Sequence, residues 1–207
     1  MATISTVATS DTVAPNVTAA ILTGGSGRRL GGVFKPGLQF GGRSILERQV
    51  KTLHAAGIHR IVCVGRAPSA GLPLLPFAAD VLTGSALGGI YSALLIATTP
   101  VVLVLAGDLP LVSAPLLEAL AALDDRDAIV PRLNGRWHPL CASFNRRIAP
   151  RLKKRLDAGQ LRVTAALAEL KVHEIGDAEL RRLDAHEALL ININTPDDYQ
   201  HATGLIS

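Results

Sequence analysis

Short apolar runs alternate with stretches of helical periodicity along most of the chain. Residues 18–22 predict a buried strand, and over 44–56 the positions Ile45, Leu46, Gln49, Val50 and Leu53 recur on one helical face. Gly57 supplies the stop for that helix before a second strand at 60–64. A glycine-rich turn feeds a helix over 84–98, and 101–106 is an uninterrupted apolar strand of the kind covered on both faces. Ser113 and Pro115 open a helix reaching 123, and strands follow at 128–131 and 140–144. Ile148, Leu152 and Leu156 mark an amphipathic helix with Lys153, Lys154 and Arg155 mostly on its wet side. A helix over 164–170 and strands at 172–175 and 189–193 lead to a last helix, with Thr195 as N-cap, Pro196 at its first position, and Asp197 and Asp198 at the positive end of the dipole.

Strands alternating with helices predict an α/β fold, a three-layer α/β/α sandwich around a mainly parallel, Rossmann-like sheet. Residues 17–207 are expected to form a single domain behind a flexible tail, 1–16, that is rich in Ser, Thr, Ala and Val. In such sheets ligands bind beyond the carboxyl ends of the strands, so the residues placed there carry the functional argument.

Composition narrows the classes of ligand. With 48% hydrophobic and 18% charged residues the chain can bury a substantial core, and the formal charge of +4 is spread over scattered Arg and Lys pairs. Aromatic residues make up 3%, too few to interleave with basic stretches for stacking on nucleic-acid bases. A small polyanion suits this charge distribution better than nucleic acid. Cys63 and Cys141 lie in apolar runs without CxxC spacing and read as reduced core residues. No apolar run approaches the roughly 20 residues needed to span a bilayer, and the expectation is a soluble, cytoplasmic protein without membrane partners.

Leu22 leads directly into Thr23, Gly24, Gly25, Ser26, Gly27, Arg28, Arg29, Leu30, Gly31 and Gly32, a loop with five glycines and two arginines. Glycines allow the backbone to approach a phosphate and aim successive N–H groups at its oxygens, so the loop reads as a triphosphate cradle. It is neither a Walker loop, which ends in Gly-Lys-Ser/Thr, nor a dinucleotide fingerprint, which needs a third glycine where Leu30 stands. An ordinary glycine-rich turn is the alternative. Lys35, soon after the loop, is the candidate to oppose repulsion between two phosphate-bearing substrates. Asp108, two residues beyond the strand at 101–106, is placed to project into the ligand crevice and hold Mg2+, which keeps waters and phosphate oxygens in its shell and needs few protein ligands.

These residues resemble a known family. Leu22 to Gly31, Lys35, and Gly41 to Arg48 are similar to the signature of sugar-phosphate and cofactor nucleotidyltransferases, and within that superfamily to the molybdenum cofactor guanylyltransferases. Asp80 with Leu87, Gly88, Gly89 and Ile90, then Ala106 to Pro110, His138 to Leu140, and Asn192 to Asp198 extend the likeness. The resemblance implies a nucleotide-diphospho-sugar transferase type of fold, GTP bound by Leu22, Thr23, Gly24, Gly25, Ser26 and Gly27 together with Lys35, Asp80 and Asp108, and a basic contribution from Arg28. It also implies that Asn194 helps Asp108 hold the metal and that Asp80, which follows an expected turn at Pro76 to Ala79, lies beside the nucleoside. The acceptor implied is molybdopterin, with molybdoenzymes or their chaperones receiving the product. Thr23 replaces the usual Ala, Phe34 stands where an Asp precedes the lysine, Gly65 replaces an Asn, and Ser85-Ala86 replaces Gly-Pro.

Transfer of a nucleoside monophosphate to a phosphate acceptor relies on positioning and charge neutralisation, and a phosphate nucleophile is already ionised near neutral pH. That no Ser/His/Asp or Cys/His constellation is evident in the sequence agrees with it. Two other readings stand beside guanylyl transfer: a related nucleotidyltransferase using CTP or a sugar-phosphate acceptor, and a silent nucleotide-binding protein, suggested by Phe34 and Ser85-Ala86. Trp137 and His138 read either as stacking on an acceptor pterin or as packing of their own loop.

Overall fold

The strands, in chain order, are β1 (Val17–Leu22), β2 (Gln39–Phe40), β3 (Arg43–Ser44), β4 (Ile61–Val64), β5 (Phe77–Ala78), β6 (Val101–Ala106), β7 (Ala128–Leu133), β8 (Arg136–Trp137), β9 (Cys141–Asn145) and β10 (Val172–Ile175). The helices are α1 (Ile45–Ala55), α2 (Ala86–Ile96), α3 (Ala114–Ala121), α4 (Ala149–Asp157), α5 (Val163–Leu167), α6 (Asp177–Leu183) and α7 (Pro196–Gly204). The structure, a computed structural model, describes residues 16–24, 33–69, 71–183 and 188–205. The N-terminal tail and most of the glycine loop, including Gly25, Ser26, Gly27 and Arg28, lie outside the described residues.

The main sheet runs β10-β7-β9-β6-β1-β4-β5, with β8 paired to the end of β7. β1 pairs in parallel with both β6 and β4, β4 with β5, and β10 with β7, while β9 alone of the seven lies antiparallel between β6 and β7. Alternation along the strands divides the core in two. Ala19, Ile21, Leu103 and Leu105 face Leu46 and Leu53 of α1, the leucines of α3 and Leu180 of α6. Ala20, Val102 and Val104 face Leu87, Ile90 and Leu94 of α2, Leu152 of α4 and Leu167 of α5. The expected three-layer α/β sandwich with a mostly parallel sheet is what forms.

Local chemistry accounts for the element ends. Ser44 and Glu47 make a capping box on α1, and Gly57, at φ 72°, lets the chain turn away after it. Thr195 and Asp198 form a second box on α7, and the carboxylate of Asp198 also accepts from the Asn194 N–H at 2.9 Å. These charge-assisted bonds hold the Asp198 carboxyl below its usual range: the Asn194 amide contributes most, against burial, with the Thr195 hydroxyl and amide adding to it.

Three local expectations are corrected. Residues 189–193 are not a strand: 188–190 turn and Ile193 N–H makes one bond to the Asp108 carbonyl at 2.9 Å. The alternation of Ile191 and Ile193 buries them against Phe40, Ile45 and Ala202, a satellite cluster under α7, instead of a sheet face. Pro76 to Ala79 is not a turn, because Phe77 and Ala78 pair with Cys63 and Val64 as a short edge strand. Arg155 is not on the wet side of α4: its side chain is only 13% exposed and reaches Glu169, packing its stem beneath the charge.

Candidate active site

The carboxyl ends of β6, β1, β4 and β5 open into a cavity of about 690 Å³. At one end, Asp108 follows β6 and meets Lys35 and Asn192, distant in sequence, while Lys35 also reaches Asn194. Lys35 Nζ donates to Asp108 Oδ2 at 3.0 Å and to Asn194 Oδ1 at 2.6 Å, and Asn192 Nδ2 donates to Asp108 Oδ1 at 2.8 Å. Lys35 and Asp108 are each about one-fifth exposed, so the ion pair is partly shielded. Lys35 lies in a one-turn 3-10 helix, Lys35–Gly37, with Pro36 against Gly107: a Cβ on Gly107 would lie 2.7 Å from Pro36 Cγ and 2.9 Å from the Leu22 carbonyl. Only glycine admits this closure of the β6 turn on β1 and the lysine segment.

The turn itself is held from α1. Gln49 is wholly buried, and its Nε2 donates to the carbonyls of Ala106 at 2.7 Å and Leu109 at 3.0 Å, bracketing Asp108. Gln49 was legible only as a member of the apolar helix face; its polar function depends on residues more than 50 positions away.

Toward the other end of the cavity, Asp80 follows β5. Ser92, buried in α2, donates from Oγ to Asp80 Oδ1 at 2.9 Å or to the Gly88 carbonyl, and accepts from the Val81 N–H at 2.8 Å. Asp80 is therefore oriented by a helix it does not belong to. Between the two ends, the buried Thr23 hydroxyl lies 2.6 Å from the Arg66 carbonyl and 3.1 Å from the Arg66 N–H, tying the end of β1 to the end of β4. Gly65, at φ 115°, passes so close that a Cβ there would lie 2.5 Å from Gly24 N. Arg66 turns its guanidinium over the Phe34 ring, 5.2 Å from the centroid.

Of the residues singled out from sequence, Leu22, Thr23, Gly24, Lys35, Asp80, Asp108, Asn192 and Asn194 line this one cavity. Gly25, Ser26, Gly27 and Arg28 lie outside the described residues. Trp137 packs against the core on the α2 side, with Nε1 donating to Glu174 of β10 at 2.8 Å, and burial with help from Arg136 holds His138 below its usual pKa. Burial raises Cys63 to about 11 and Cys141 to about 12, so both thiols stay protonated core residues.

Residues 19–174 match the family model described as the MobA-like NTP transferase domain. The chain belongs to this family. It is thereby a nucleotidyltransferase. A relative from Natranaerobius thermophilus, named probable molybdenum cofactor guanylyltransferase, is 29% identical over 90% of this chain and 95% of its own length. One of the same name from Chloroflexus aggregans is 34% identical over 86% and 89%. Among solved structures, molybdopterin-guanine dinucleotide biosynthesis protein A from Archaeoglobus fulgidus is 26% identical with a TM-score of 0.76, covering 91% of this chain and 98% of its own. The fold is shared with a Thermus thermophilus 2-C-methyl-D-erythritol 4-phosphate cytidylyltransferase, 20% identical over 92% and 98% of the two chains at a TM-score of 0.66. Among the described residues no helix is long and apolar enough to cross a membrane.

Proposed function

We propose that this nucleotidyltransferase transfers GMP from GTP to the terminal phosphate of molybdopterin in the cytoplasm, forming molybdopterin guanine dinucleotide and pyrophosphate for delivery to molybdoenzymes or their chaperones. The observation that carries the reading is the convergence of Lys35, Asp108 and Asn194 at one end of a cavity whose other end holds Asp80. The names borne by relatives that cover nearly the whole chain supply the nucleotide and the acceptor.

An oxygen of the acceptor phosphate attacks the α-phosphorus of GTP; the new P–O bond forms as the bond between the α-phosphorus and its bridging oxygen to the β-phosphate breaks, and pyrophosphate leaves in line. The acceptor is ionised already, so the chain need not remove a proton. Lys35 offsets the repulsion between the two anions as they approach. Asp80 accepts from the guanine Watson–Crick edge, and the backbone from Leu22 to Gly27 cradles the phosphates, with Arg28 near them.

The residues fit a divalent cation. Asp108 Oδ2 and Asn194 Oδ1 already converge on one positive group, the Lys35 ammonium, and oxygen donors of this kind suit Mg2+ when phosphate oxygens and water complete the shell. No group of three or more His, Cys, Asp or Glu able to hold a metal occurs among the described residues, so the nucleotide would supply the remaining ligands. When bound, the ion adds neutralisation of the phosphate charge. A Mycobacterium tuberculosis protein of the same fold, 16% identical over 91% of this chain and 98% of its own with a TM-score of 0.62, has been solved in complex with manganese.

The test is Mg-dependent pyrophosphate release from GTP, CTP, ATP and UTP with and without molybdopterin, comparing wild type with Asp108→Ala. Release only from GTP with molybdopterin, lost in the variant, is expected. Release from CTP or with a sugar phosphate would move the substrate while keeping the chemistry, and GTP binding without any release would replace the enzyme with a silent binding protein.

A further inference from the structure

We infer that Arg66 is a specificity residue that selects guanine through its Hoogsteen edge, held at the base end of the cavity by Phe34 and Thr23. The inference rests on the GTP reading above and assigns it a further determinant.

The order of strand ends sets the direction of the nucleotide. Asp108, Gly24, Arg66 and Asp80 follow β6, β1, β4 and β5, which are successive neighbours in the sheet. Adjacent strands lie about 4.8 Å apart, so β4 ends roughly 10 Å, and β5 roughly 14 Å, from the end of β6. A nucleotide whose phosphates sit at Lys35 and Asp108 therefore lays its base across the ends of β4 and β5, where Arg66 and Asp80 stand.

Arg66 is available there. Its side chain is exposed in the cavity wall, and no carboxylate lies within ion-pair distance of it among the described residues. Its backbone is fixed at both its N–H and its carbonyl by the buried Thr23 hydroxyl, and Gly65 allows the close approach that brings this about. Phe34, at the position where related signatures carry an acid, lies in the same cavity wall with its ring beneath the guanidinium, 5.2 Å from centroid to Cζ. An acid near this point would compete for the guanidinium N–H donors; an aromatic face holds the cation while leaving its in-plane donors free. The departure from the signature thus pre-orients a bidentate fork. Guanine offers O6 and N7 as adjacent acceptors to such a fork, whereas adenine places a donor at the same edge and cytosine has no N7. With Asp80 on the adjoining Watson–Crick edge, donors and acceptors of the pocket complement guanine alone among the four bases.

Calorimetric titration of the full chain with GTP, 7-deaza-GTP, ATP, CTP and inorganic pyrophosphate, for wild type, Arg66→Met, Arg66→Lys and Phe34→Leu, tests this. Wild type is expected to bind GTP about tenfold or more tighter than 7-deaza-GTP, ATP or CTP. Arg66→Met should lose that factor for GTP, bind GTP and 7-deaza-GTP alike, and keep its affinity for pyrophosphate; Arg66→Lys, which keeps the charge and loses the fork, should behave like it, and Phe34→Leu should lose part of the discrimination. Thermal melting identifies any variant that fails to fold, and Arg66→Lys then carries the comparison. An equal loss for GTP, 7-deaza-GTP and pyrophosphate would make Arg66 a phosphate ligand, and no change would make it a solvated side chain; either result overturns the inference while leaving GTP as substrate. A wild type that prefers CTP or ATP overturns the guanine reading itself, and the assignment of Arg66 falls with it.

Discussion

Replacing Gln49 with Leu removes a support of Asp108 without touching the cavity. The side chain is fully buried, and its Nε2 donates to two carbonyls on either side of Asp108. The Ala106 carbonyl also accepts from Leu109 N–H at 3.3 Å and so retains one partner; the Leu109 carbonyl loses its described partner. A buried carbonyl left unpaired costs about 1–3 kcal/mol, and the weakened Ala106 carbonyl adds a fraction of that. Against this, Gln49 Oε1 has no partner in the structure, so an apolar replacement recovers part of an existing penalty. The balance is about 2 kcal/mol, or a fall in melting temperature of roughly 4–8 °C for a domain of this size. Because the turn carrying Asp108 relaxes, pyrophosphate release should fall about tenfold or more, while GTP binding through the β4–β5 end changes less. Thermal denaturation and single-turnover kinetics measure both, with the exposed Lys51→Ala on the same helix as control. A variant that melts within 2 °C of wild type, by the conversion used above, and turns over at full rate would show that Asp108 does not depend on Gln49.

Gly65→Ala should destabilise by about 2–6 kcal/mol, since φ 115° strains any side chain by roughly 1–3 kcal/mol and the Gly24 backbone would have to give way by a comparable cost; chemical denaturation reads the shift in midpoint. Ser92→Ala should raise the GTP concentration for half-maximal rate several-fold with the maximal rate little changed, because it leaves Asp80 held only by the Leu82 N–H among the described bonds and leaves Val81 N–H unpaired; equal loss in both constants would place Asp80 in the chemical step. Asp127 predicts an acid limb. Burial raises its pKa, but the Lys171 amide, then Arg147 and Arg151, more than offset that and leave it below 3.8. Its stabilisation is therefore complete above the unfolded value and lost as pH falls through the lower folded value, so Asp127→Asn should cost about 1–3 kcal/mol at neutral pH and flatten stability below about pH 4 in urea titrations.

Legibility in the sequence followed the range of the interactions. β1, α1 and β6 could be read directly, because their apolar periods and caps are local. α6 is too short for its apolar period to stand out, although Asp177 and Glu179 open it and Arg181 and Arg182 close it, the charge order a short helix favours. The extended stretch from Ile191 to Asn194 carries a strand's alternation, yet the alternation records burial of two isoleucines under α7 and contains no information about a pairing strand. In the cavity, Lys35 and Asp108 are legible through their positions after the glycine loop and β6, and Asn194 only through the family resemblance, since the strand expected before it does not form. Gln49 and Ser92 were not, since each looks like an ordinary helix residue until the fold brings a distant carbonyl or carboxylate against it, and Arg66 gained meaning only once Phe34 was found beneath it.

The reversed strand β9 has a consequence for how this protein could be altered. Because β7 and β9 run in opposite directions, the chain between them, with the Asn134-Gly135 hairpin turn at its tip and Leu140 in the cavity wall, returns at the same rim as Asp108. The strands that carry Thr23, Arg66 and Asp80 belong to the opposite half of the sheet. The hairpin tip at Asn134-Gly135 can therefore be lengthened or exchanged while the strands that carry Thr23, Arg66 and Asp80 stay as they are, whereas Leu140 is tied to the Asp108 turn by the Ala106 N–H that donates to its carbonyl at 2.7 Å.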